Sequence, residues 1–206
     1  MILEARGILA TDKIERFTER AQDVIKDAYW ANENFAHDIE GQRVLMCATS
    51  LAHYGLLGSV ENMILRNLNL RGTPTKHMAS LVSCVTHSLN IDKVHNCDLV
   101  SILTSLECEK LSINSQSLGT EETEAMVRAM EGGVERVDLG YLGDGITTLD
   151  IRAFTSYNGA GKCSRVDCHG DKAGRYKKDL MTWAQRNNWN VTVDSYNLLV
   201  IVKEIL

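Results

Sequence analysis

Residues 134–139 read Val-Glu-Arg-Val-Asp-Leu (VERVDL), and five other short stretches share the spacing of their apolar residues. These are VENMIL at 60–65, HSLNI at 87–91, EKLSI at 109–113, SRVDC at 164–168 and NVTV at 190–193. Aligned, they give two apolar columns. The first is Met63, Leu89, Leu111, Val137, Val166 and Val191. The second is Leu65, Ile91, Ile113, Leu139, Cys168 and Val193. A spacing of two places both columns on one face of an extended strand. First-column intervals are 26, 22, 26, 29 and 25 residues.

The segments between the strands read as helices. Lys76–Val85 carries Met78, Leu81, Val82 and Val85 on one side. Asp98–Leu106 carries Leu99, Ile102, Leu103 and Leu106. Thr120–Met130 opens with Thr120 as its expected N-cap, with Glu121, Glu122 and Glu124 near the positive end of the helix dipole. Gly132 and Gly133 stop it. Ile146–Phe154 and Gly174–Asn187 complete the series, and Leu198–Val202 reads as a last strand or a cap. One strand and one helix per twenty-odd residues predicts stacked units. A single unit cannot bury both of its apolar faces, whereas neighbours can pair strand on strand with the helices outside. Ahead of the repeats, Thr11–Ala31 and Ile39–Leu57 read as two amphipathic helices.

This x-L-x-L column pattern with an outer helix resembles the leucine-rich repeat proteins of the ribonuclease-inhibitor-like type, over about residues 60–193. The first leucine of the family pattern is replaced by Val60, Thr86, Cys108, Val134, Cys163 and Asn188. The resemblance implies an α/β right-handed solenoid, with short parallel strands on the concave face and helices outside. Residues 1–58 would form an N-terminal helical cap, and 59–206 about six repeats continuous with it. An ordinary three-layer α/β domain is the alternative.

Composition narrows the functional classes. The 206 residues carry a net charge of −5, from 22 basic and 27 acidic residues. Nucleic-acid recognition lacks both a basic stripe and aromatic platforms. No run of 18 apolar residues exists, and the first residues lack the basic and apolar regions of a signal peptide. A cytoplasmic protein with no membrane partner is expected. The six cysteines show no compact disulfide framework and read as small buried apolar residues.

Candidate chemistry is sparse. SYNGAGKCS at 156–164 is close to the phosphate-loop pattern G-x-x-x-x-G-K-[ST], but Ser156 replaces the first glycine and Cys163 the magnesium-binding hydroxyl. It also follows a helix and opens a strand, the reverse of the required order. Metal binding by Cys163, Cys168, His169, His87, His95 or Cys97 lacks any C-x2-C pair. No G-x-S-x-G motif is present. No catalytic residue, cofactor or metal is expected.

What remains is the sheet surface. Residues between and beside the columns point away from the core. Asn90, Asp92, Lys110, Ser112, Asn114, Arg136, Asp138, Arg165, Asp167 and His169 are the candidate contacts for another protein on the concave face. Arg136, Asp138, Arg165, Asp167 and His169 cluster on adjacent strands. Read as solvated, Asp138 and Asp167 should tolerate exchange for lysine without loss of folding. The expected function is protein–protein interaction, as an adaptor or part of a sensor, without enzymatic activity. The alternatives are a small nucleotide-binding α/β enzyme using the Gly159–Lys162 loop, or a GTPase regulator.

Overall fold

The computed structural model describes residues 49–203 apart from 51, 56, 67–69, 71–72, 115, 141–147, 170–172 and 194–197, and leaves undescribed the side chains of Arg66 and of residues 173–175. The expected helix at 11–31 and most of the proposed cap lie outside the described residues.

Among the described residues from Val60 onward, nine strands and five helices follow in order. They are β1 (Val60–Arg66), α1 (Thr75–Ser83), β2 (Val85–Asp92), α2 (Leu99–Thr104), β3 (Lys110–Asn114), β4 (Ser117–Leu118), α3 (Thr120–Gly132), β5 (Arg136–Leu139), β6 (Thr148–Leu149), α4 (Ile151–Thr155), β7 (Arg165–Cys168), α5 (Ala173–Arg186), β8 (Trp189–Val193) and β9 (Leu199–Lys203). The protein is a mixed α/β structure with one mostly parallel sheet, ordered β1-β2-β3-β5-β7-β9-β8. β4 and β6 form a separate two-stranded parallel sheet.

The two apolar columns are the register of the main sheet. Met63 lies opposite Leu89, Leu89 opposite Leu111, Leu111 opposite Val137, and Val137 opposite Val166. Leu65, Ile91, Ile113, Leu139 and Cys168 are aligned in the same way. Every one of these side chains is buried. Successive helices pack side by side, α1 on α2, α2 on α3, α3 on α4 and α4 on α5. Their inner residues, among them Met78, Leu81, Ile102, Leu103, Met126, Met130, Phe154 and Leu180, join the columns in one core. Burying each such side chain contributes about 1.5–3 kcal/mol, so the aligned columns outweigh any local preference of their short segments.

The sixth segment departs from the expected arrangement. β8 holds the NVTV stretch, but it does not sit beside β7. β9 runs antiparallel between them, pairing Val166 with Ile201 and Cys168 with Leu199 on one side, and Ile201 with Val191 on the other. Leu199 and Ile201 bury more apolar surface than Val191 and Val193, so β9 takes the inner position. Val193, at 42% exposed, lies on the outer strand. Antiparallel neighbours need only a short connection, which the return from β8 to β9 supplies.

Smaller corrections concern helix starts. Gly119, not Thr120, is the N-cap of α3, and Thr120 Oγ1 instead donates to Asp150 Oδ2 at 2.6 Å. Asp150 also caps α4, accepting from the amides of Arg152 and Ala153. One carboxylate therefore ties two helix starts together, and these bonds hold it below the usual carboxylate range. The expected helix at 146–154 begins only at Ile151, because Thr148–Leu149 pairs with Ser117–Leu118 as a strand.

Aromatic packing closes the β7–β9–β8 end. Trp183 lies 5.2 Å from both Phe154 and Trp189 and 6.0 Å from Tyr157, between ring centres. Its Nε1 donates to the Tyr157 carbonyl at 2.6 Å.

Candidate functional site

The sheet face opposite the helices carries the candidate residues in rows, because in-register parallel strands place equivalent positions side by side, about 4.8 Å apart. Ser88, Lys110, Arg136 and Arg165 form one row. Asn90, Ser112, Asp138 and Asp167 form the next. Asp92 faces Asn114 in the third, and His169 follows β7.

β5 and β7 carry the same tripeptide, Arg-Val-Asp, in register. The valine enters the core, and the arginine and aspartate share the open face two residues apart. Arg136 Nε donates to Asp138 Oδ1 at 2.8 Å, while its terminal NH2 group reaches Asp167 Oδ2 on the neighbouring strand at 2.7 Å. Arg165 Nε contacts both oxygens of Asp167, at 3.0 and 2.9 Å. Lys110 Nζ lies 2.9 Å from Asp138 Oδ2, which also accepts from Ser112 Oγ at 3.3 Å. The result is an alternating ladder across three strands: Lys110, Asp138, Arg136, Asp167, Arg165.

The two signs differ in exposure. The side chains of Asp138 and Asp167 are 0% exposed, and those of Lys110, Arg136 and Arg165 are 31%, 35% and 40% exposed. Short acids lie beneath longer basic side chains from the adjacent row. Taking a carboxylate out of water costs several kcal/mol, so each needs its cations. Burial pushes both carboxyls up. At Asp138 the hydrogen bonds and charges of Lys110 and Arg136 outweigh burial and hold it below the usual range. At Asp167 burial prevails over Arg165 and Arg136, helped by the adjacent Asp138 carboxylate, and its pKa is raised.

The ten expected contact residues thus separate into two sets. Asn90, Lys110, Arg136, Arg165 and His169 are partly exposed. Asp92, Ser112, Asn114, Asp138 and Asp167 are buried, so the last two are not the solvated acids expected. Exchange for lysine would set a further cation among those they neutralise. Their burial reverses the expectation: the exchange should disrupt folding. Toward β1 the first two rows of the same face are neutral, and the charged positions there, Arg66 and Asp92, lie in the third row. Ser88 Oγ donates to Asn62 Oδ1 at 2.6 Å, and Asn114 Nδ2 to Asn90 Oδ1 at 2.9 Å.

Asp138, Asp167 and His169 also bring ligand atoms within 4.8 Å of one another. The sequence groups these three on adjacent strands as partner contacts, and the repeated Arg-Val-Asp with the following histidine is the signal that carries the grouping. Lys110, Arg136 and Arg165 already balance these carboxylates, so a metal ion would have to displace them. The cysteines lie elsewhere. Cys108, Cys163 and Cys168 are buried, and burial pushes their thiols up to about 11, 11 and 12. They stay protonated and act as small apolar residues. His87 Nδ1 pairs with Glu109 Oε2 at 2.8 Å.

The Gly159–Lys162 loop has a packing role. Gly161 has φ +90°, and a Cβ there would lie 2.4 Å from the Glu131 carbonyl oxygen. The carbonyls of Gly159 and Gly161 accept from Lys203 Nζ at 2.9 and 3.4 Å. A phosphate needs amide donors converging on it, and these carbonyls instead converge on an ammonium.

Compared with known protein families, with curated proteins and with solved structures, the chain has no match.

Proposed function

We propose that the protein is a leucine-rich-repeat-like solenoid that binds another protein through the strand face opposite its helices. The observation that carries this reading is the shared register of β1, β2, β3, β5 and β7, adjacent in space in the order of the chain. Units that repeat in this way present a broad, regular polar surface, and extended sheet faces are how solenoids commonly bind. The step from architecture to binding is an analogy of fold. No helix among the described residues is long and apolar enough to cross a membrane. The five described cysteines are free, which favours a reducing compartment such as the cytoplasm.

Photo-crosslinking in cells tests the reading. A benzoylphenylalanine placed at Asn62 or Asn90, on the strand face, should capture a protein. The same group at Glu124 or Arg128, on the exposed side of α3, should not. Capture only from the helix positions, or from none, refutes the strand face.

A further inference from the structure

We propose that the Lys110–Arg136–Arg165 row is a rack for an acidic peptide segment of the partner. The proposal rests on the strand-face reading above and names the chemistry that face selects.

Three observations carry it. The first is the separation of charge by depth. The carboxylates are fully buried and the cations are about one-third exposed, so an approaching molecule meets N–H donors and no acceptor oxygen from this ladder. The five groups sum to +1 in a chain of net charge −5, with a cation at each end. The second is the supply of uncommitted donors. Among the described residues, Arg136 uses Nε and one terminal nitrogen, leaving the other. Among the same residues, Arg165 bonds Asp167 through Nε alone, leaving both terminal nitrogens of its fork. A guanidinium fork matches a carboxylate in a two-point contact. The third is rigidity. Asp167 grips Arg165 through both oxygens, and Asp138 and Asp167 hold Arg136 from two sides. Side chains fixed before binding lose less entropy on binding. Asp138 and Asp167 are thus positioning residues.

The rest of the face suits a peptide rather than a polyanion. On one side of the rack lie Val200 and Val202 of β9. On the β1–β2 side lie Asn62, Ser88, Asn90 and Asn114, which carry no charge, with Asp92 buried in the row of Asn114. Side-chain amides and hydroxyls of this kind can exchange hydrogen bonds with a peptide backbone. A nucleic acid would require a cationic track continuing in that direction.

The test uses the whole chain and a fluorescein-labelled hexaglutamate peptide, with hexalysine as control, followed by fluorescence anisotropy at low salt. Hexaglutamate should bind and hexalysine should not. Arg165→Gln should weaken hexaglutamate binding about tenfold or more, as expected for loss of a two-point charged contact, whereas Arg128→Gln on α3 should leave it unchanged. Arg165→Lys should restore only part, since it returns the charge without the fork. Stability of the substituted chains need not enter. In the unsubstituted protein, the Nε–Hε resonances of Arg136 and Arg165 should shift on adding hexaglutamate and that of Arg128 should not. Binding that survives Arg165→Gln, equal binding of hexalysine, or unmoved Arg136 and Arg165 resonances overturns the proposal. Failure here with crosslinking from Asn90 intact refutes the acidic partner and spares the strand face. Failure of both refutes the face as well.

Discussion

The two halves of one sheet face solve the same geometric problem with different chemistry. From β1 to β2, the side chains just before and between the apolar columns are neutral and meet through bonds such as Ser88 to Asn62, with Arg66 and Asp92 confined to the row beyond. From β3 to β7 the equivalent positions hold five charged groups, two of them fully buried. From Asn62 onward the backbone register is regular in both halves, β1 carrying an irregularity only between Val60 and Asn62. A neutral hydrogen bond contributes about 1 kcal/mol and its loss is local. A buried charge is held only by its partners, so removing one leaves the others in an unfavourable medium. The charged half should therefore be fragile under mutation and sensitive to pH, and the neutral half neither.

The largest expected effect is Asp138→Lys. It replaces a buried anion by a cation beside Lys110 and Arg136, and should cost more than about 4 kcal/mol or prevent folding. Chemical denaturation monitored by circular dichroism checks it. A fully folded variant of near-normal stability would dissolve the distinction between the halves. Arg136→Met comes next, at about 3 kcal/mol, because both buried carboxylates lose a shared partner while each keeps one cation. A cost near that of Ser88→Ala would show that Arg136 contributes no more than a neutral bond.

The pH dependence of stability separates the two acids. Asp138 has a lowered folded pKa, so its contribution is present above the unfolded value, about 3.9, and is lost as pH falls through the folded value. The advantage of the wild type over Asp138→Asn should shrink on acidification below about pH 4. Asp167 has a raised folded pKa, so the folded chain holds its proton more tightly than the unfolded chain. The advantage over Asp167→Asn should instead grow as pH falls through that raised value. Parallel differences for the two variants would mean that the carboxyls do not occupy opposed environments. The smallest effect belongs to Ser88→Ala, about 1 kcal/mol and independent of pH. A pH-dependent loss there would couple Ser88 to a charged group such as Asp92 and blur the distinction between the halves.

The architecture was legible to the extent that it is set by periodic apolar burial. Met63, Leu89, Leu111, Val137 and Val166 align in the letters and in space, because an alternating apolar face has one way to reach a core. The place of β9 was not legible. Leu198–Val202 announces a strand, but direction and neighbour depend on comparing it with Val191 and Val193 at the same edge. Caps were harder still. Thr120 looks like a helix cap by type, and its hydroxyl is committed to Asp150, 30 residues on. The candidate site was half visible. Alternation puts Arg136, Asp138, Arg165 and Asp167 on one face, but says nothing of depth. Depth follows from side-chain length: an aspartate beside two arginines lies beneath them, whereas an asparagine beside Ser88 stays partly open.

The aromatic contacts at the β7–β9–β8 end have a spectroscopic consequence. Two of the three tryptophans, Trp183 and Trp189, are buried there with their rings 5.2 Å apart. Emission from this pair reports the state of one end of the sheet. Among the described residues, the β1–β2 end contributes no tryptophan to that probe. A fluorescence-detected transition that precedes or follows the circular-dichroism transition would reveal that the two ends come apart separately, and coincident transitions would mark a single cooperative unit.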